Sequence, residues 1–68
     1  MKRYIVDLEE NVYVADWEGD PGRTTRRAYA KVFDNRQEAV NAVTDARSYR
    51  LFEEAVLILI CPDRREVI

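Results

Sequence analysis

The sequence predicts an α+β domain of order β-β-(β)-α-β, with one helix packed on a small, mainly antiparallel sheet. Three observations carry that reading. Two short segments rich in β-branched and aromatic residues, 3–8 and 12–17, are separated by only three polar residues. A stretch with helical spacing begins behind a capping residue near Asp34, and an apolar run occupies residues 55–61.

In the first segment Tyr4, Val6 and Leu8 alternate with polar neighbours, apart from Ile5, and the second carries Val12, Tyr13, Val14 and Trp17. Between them Glu9, Glu10 and Asn11 form a connection in which Asn tolerates a left-handed backbone, so a hairpin is the economical arrangement. Gly19-Asp20-Pro21-Gly22 then breaks the chain. Pro fixes φ at the second position of a turn and Gly accepts φ > 0 at the third, which predicts a type II turn. Residues 26–33 alternate Ala28, Ala30 and Val32 against Tyr29, Lys31 and Phe33, the pattern of a third strand weakened by alanine.

Asp34 stands where an N-cap belongs, with Gln37 three residues on to complete a capping box and Glu38 in the positive first turn. Ala39, Val40, Val43, Ala46, Arg47 and Arg50 follow the spacing of one helical face. The apolar members of that face are small, so the helix can approach the sheet closely. In the last apolar run both alternating faces are apolar, which predicts a strand covered on both sides and ended by Pro62. A right-handed crossover would set this strand parallel to the first and beside it. Residues 63–68 read as a tail. Residues 1–68 form a single domain, without repeat or linker.

Composition narrows the functional classes. Of 68 residues, 47% are hydrophobic and 35% charged, with two Gly and two Pro, a globular balance. A chain this short buries only roughly 60% of its unfolded surface, and such chains are commonly reinforced by disulfides, metals or a second copy. Cys61 is the single cysteine and there is no histidine, so no internal disulfide forms and the usual zinc ligands are missing. No metal or cofactor is expected. The apolar run at 55–61 is too short to cross a bilayer, and the expectation is a cytoplasmic protein without membrane contact.

Without histidine the commonest general base is lost, so the chain is expected not to be an enzyme. Cys61 reads as a core or interface thiol. The adjacent acids Glu9/Glu10 and Glu53/Glu54 read as solvated element ends rather than acid–base pairs. The loop from Gly19 to Thr25 has glycines, a base and hydroxyls, yet lacks the ending and the following helix of a phosphate-binding loop.

Two surfaces remain. If Tyr4, Val6, Leu8, Val12 and Val14 face the helix, then Ile5, Tyr13, Ala15, Trp17 and Tyr29 point the other way. An exposed aromatic face of this kind marks an interface, so Ile5, Tyr13, Trp17 and Tyr29 are the candidate interface, and a homodimer is expected with a host protein as the other partner. Nine of the 11 bases are arginine, and Arg23, Arg26, Arg27, Arg47 and Arg50 are candidate anion or nucleic-acid contacts. The net charge of −2 argues against that use. Six acids and no base lie between Asp7 and Asp20, while five bases and one acid lie between Pro21 and Arg36. The acidic hairpin could itself engage a basic surface.

The opening Tyr4-Ile5-Val6, the block from Gly19 to Thr24, the step from Ala30 to Phe33 before a capped helix, and the stretch from Ala46 to Phe52 resemble short uncharacterised proteins of bacteriophages and prophages. The resemblance spans most of the chain and supplies no catalytic residues. It implies an accessory protein of a mobile element, a class whose small acidic members often bind and inhibit host machinery, CRISPR effectors included.

Overall fold

The computed structural model describes residues 2–19 and 21–68. Among these residues five strands form one antiparallel sheet with a single α-helix on one face: β1 (Tyr4–Glu9), β2 (Val12–Val14), β3 (Arg23–Thr24), α1 (Arg36–Arg47), β4 (Val56–Leu59) and β5 (Arg64–Glu66), in spatial order β3-β2-β1-β4-β5. Two single 3-10 turns, η1 (Arg27–Tyr29) and η2 (Arg50–Phe52), complete it.

The hairpin between β1 and β2 forms as its sequence requires. Asn11 takes φ 61°, and the register slips between Asp7↔Tyr13 and Glu9↔Val12, a bulge that twists the hairpin end. Alternation places Tyr4, Val6 and Leu8 against Ala39, Val43 and Ala46 of α1, joined by Phe33, Phe52, Ala55 and Leu57. Val12 and Val14 pack at the margin of this core. The small residues of the helix let it lie close to the sheet, and the bulk comes from the strands and the two phenylalanines.

Several expectations are corrected. Residues 26–33 are not a strand: they form η1 and a single bridge, Phe33↔Tyr4. The third strand is Arg23–Thr24, paired with β2 immediately after the turn. Lys31 N–H donates to the Val14 carbonyl at 2.8 Å and Phe33 exchanges both backbone bonds with Tyr4, so this segment is held by β1 and β2 without laddering along either. The last strand does lie beside β1, but antiparallel to it, with Ile5↔Ile58 and Asp7↔Val56. Because residues 26–33 do not supply a strand, no parallel crossover unit exists to fix the opposite direction.

The N-cap is Asn35 rather than Asp34. Its Oδ1 accepts from the Glu38 backbone N–H at 3.2 Å, so the cap sits one residue later than the box Asp34–Gln37 predicts, and Asp34 instead faces Arg3 at 3.6 Å. The supposed tail forms β5, since Asp63 and its neighbours turn the chain back onto β4. Asp20, part of the predicted type II turn, lies outside the described residues. Gly22 does not take the positive φ that turn needs; a Cβ there would stand 2.0 Å from the Trp17 carbonyl oxygen, so close approach is what requires glycine.

The second sheet face is closed over part of its area. Ile5 is only 2% exposed and Ala15 is buried, though neither belongs to the helix-side core. Arg27 of η1 pairs with Asp63, which lies between β4 and β5. Outer residues of β4, Val56 and Ile58, are half-buried rather than fully covered.

Candidate functional site

The sheet ends at the β1–β2 turn in a groove of about 670 Å³. One wall is the hairpin end, with Glu9, Glu10 and Asn11. Arg50 and Leu51 of η2 and the following Glu53 and Glu54 form the other, while Asp7, Val56 and Arg65 lie between. The two acid pairs, 43 residues apart in sequence for Glu10 and Glu53, thus line the same groove. Its placement follows from local chemistry. The hairpin turns at Asn11, and α1 is ended at Ser48, whose N–H and hydroxyl both bond the Asp45 carbonyl. Phe52 then anchors η2 in the core, which leaves its neighbour Leu51 78% exposed.

Five carboxylates and two guanidiniums give the groove a negative field. Among the described residues no group of three or more acidic or cysteine side chains could hold a metal ion. Asp7 is the exception in environment. It is half-buried, its Oδ1 has no hydrogen-bond partner, and burial pushes its carboxyl above the usual value; Arg65 opposes that rise and Glu10 adds to it.

The candidate interface residues separate. Ile5 is interior and is corrected from an exposed position to a core one; Tyr13 is half-buried. Trp17 and Tyr29 stay exposed, at 52% and 56%, with ring centroids 6.3 Å apart and planes tilted by 58°. The Trp17 indole N–H donates to the Arg23 carbonyl at 3.0 Å, which fixes the ring against its own loop. Ile5 and Ala15 are buried and Tyr13 is half-buried, so among the described residues the four candidates do not form one exposed apolar face of the kind the expected dimer needs.

The arginines are likewise dispersed. Arg23 lies over the Phe52 ring, 5.4 Å from its centroid, and bonds the Pro21 carbonyl. Arg26 is exposed. Arg27 is engaged by Asp63, whose hydrogen bond lifts the guanidinium further above its already high value and holds the Asp63 carboxyl below the usual range. Arg47 Nε donates to the Ala55 carbonyl at 2.9 Å, tying the end of α1 to the start of β4, and Arg50 lies among the groove acids. Cys61 is exposed rather than in the core, because β4 ends at Leu59 and the chain has already turned. No helix is long and apolar enough to cross a membrane among the described residues.

Reading residues singly missed the groove. The signal was present, in two acid pairs each placed at the end of a strand or turn, but only the pairing of β1 with both β2 and β4 brings them together. No protein-family model, curated protein or solved structure matches the chain.

Proposed function

We propose that this chain is a non-enzymatic accessory protein of bacteriophage or prophage type that acts in the cytoplasm by binding another protein through the groove at the hairpin end. The observation that carries this reading is the meeting of Glu9, Glu10, Glu53 and Glu54, from separate connections, around the exposed Leu51. Charged rims around an apolar contact are the usual anatomy of a protein interface, and like-charge fields select partners. The same negative field disfavours nucleic acid, whose phosphates would meet five carboxylates against two arginines here, while Arg23, Arg27 and Arg47 are bonded within the chain. A host factor with a basic surface is the partner this field suits, and its inhibition is the role.

The test is recovery of the partner from bacterial host extract with the parent protein, a Glu53→Lys/Glu54→Lys variant and a Trp17→Ser variant, followed by reconstitution from purified components. A partner that is identified, rebinds in isolation, is lost with the double variant and is kept with Trp17→Ser supports the reading. A partner lost only with Trp17→Ser contradicts it and restores the aromatic pair as the interface. Salt-sensitive retention of DNA or RNA, abolished when Arg23, Arg26 and Arg27 become Ala, would replace it with a nucleic-acid module.

A further inference from the structure

Resting on the groove as the protein-binding surface, we propose that its occupant is a cationic, partly apolar peptide segment of the partner, seated between the Glu9/Glu10 and Glu53/Glu54 walls with an apolar side chain on Leu51. The walls are carboxylate pairs carried by two independent connections, so positive side chains can be neutralised from both sides at once. Leu51 is 78% exposed while Phe52 beside it is held in the core, so η2 presents an apolar contact that the fold itself leaves uncovered.

Arg50 and Arg65 occupy the same groove and shape the choice further. They repel a continuous run of bases and leave room for positive residues interrupted by apolar ones. A segment of alternating character satisfies both features, with its bases against the glutamates and its apolar residues toward Leu51 and Val56. An acidic segment would meet repulsion on both walls.

Isothermal titration of the whole protein with short synthetic peptides tests this: one alternating Arg and Leu, one with Gln replacing Arg, one with Ser replacing Leu, and one with Glu replacing Arg. The Arg/Leu peptide is expected to bind, with affinity falling about tenfold from low to high salt. The Gln and Ser peptides should each bind roughly tenfold more weakly, and the Glu peptide not at all. Leu51→Ser should weaken binding severalfold and Glu53→Lys/Glu54→Lys should abolish it, with circular dichroism unchanged because all three positions are exposed. Equal binding by the double variant, or equal binding of the Glu and Arg peptides, overturns the inference. A reconstituted partner that is lost with the double variant while the Arg/Leu peptide neither binds nor competes would overturn only the cationic occupant. A reconstituted partner that the double variant still binds, with no binding of the Arg/Leu peptide, would overturn the groove reading as well.

Discussion

Replacing Asp7 by Asn neutralises a carboxylate whose Oδ1 is buried without a hydrogen-bond partner, in the central strand of the sheet. Burial is the main reason that this carboxyl lies above its ordinary value of 3.8, with Glu10 adding to the rise and Arg65 working against it. A raised carboxyl pKa means that the folded chain binds this proton more tightly than the unfolded chain. The contribution of Asp7 to stability is therefore most favourable below the unfolded value and is lost as pH rises through the folded one. Asn leaves the same oxygen unpartnered but removes the desolvated charge, and because Asp7 is only half-buried and faces Arg65 the gain is discounted: Asp7→Asn should stabilise the protein by at most about 1 kcal/mol at neutral pH. In a chain of this size that corresponds to roughly 5 °C in Tm. Urea unfolding followed by circular dichroism, at about pH 3 and about pH 7, gives the comparison, and the difference should shrink toward zero at the acid end. An Asp7→Asn protein less stable than its parent at neutral pH would show that attraction to Arg65 outweighs desolvation, and a difference independent of pH would refute the titration argument. A stabilising substitution at a groove residue would also fit the common exchange of stability for function.

Four further outcomes are expected. Asn35→Ala should cost about 1 kcal/mol through loss of the N-cap, whereas Asp34→Ala should cost at most a few tenths, a contrast that equilibrium unfolding resolves. Gly22→Ala should destabilise strongly, by more than about 2 kcal/mol, because its Cβ would press on the Trp17 backbone; a blue-to-red change in Trp17 fluorescence should accompany it. Leu57→Ala, at a fully buried site between β1 and α1, should cost roughly 3 kcal/mol in the same assay. Light scattering should return the mass of one chain. Both sheet edges, β3 with Arg23 and β5 with Arg64 and Arg65, are short and charged, and the face behind Ile5 is closed.

Much of the fold was legible because alternation and spacing are local. Tyr4, Val6 and Leu8 announce a strand, Asn11 announces the hairpin turn, and Ala39, Val43 and Ala46 announce one buried face of a helix. The misreadings share a cause in tertiary pairing. Residues 26–33 alternate like a strand, yet the segment turns through η1 and meets β1 and β2 only at Phe33 and Lys31. Residues 64–66 carry no apolar pattern, yet β4 offers them an open edge, and backbone pairing needs no hydrophobic side chain. Asn35 outcompetes Asp34 as a cap while Asp34 meets Arg3, a contact across 31 residues that no local pattern encodes. Ile5 belonged with the exposed aromatics by parity alone, and its burial is a tertiary outcome that strand alternation does not encode. The groove is the most distant case, since its acid pairs are each unremarkable and acquire meaning from the strand order.

Two-dimensional NMR of the labelled protein titrated with the Arg/Leu peptide decides whether the hairpin-end groove or the aromatic pair engages the partner. Shifts are expected at Glu9, Asn11, Leu51 and Glu54, with Trp17 and Tyr29 unmoved. Shifts concentrated at Trp17, Tyr29 and Arg26, with the groove residues silent, would contradict the groove reading.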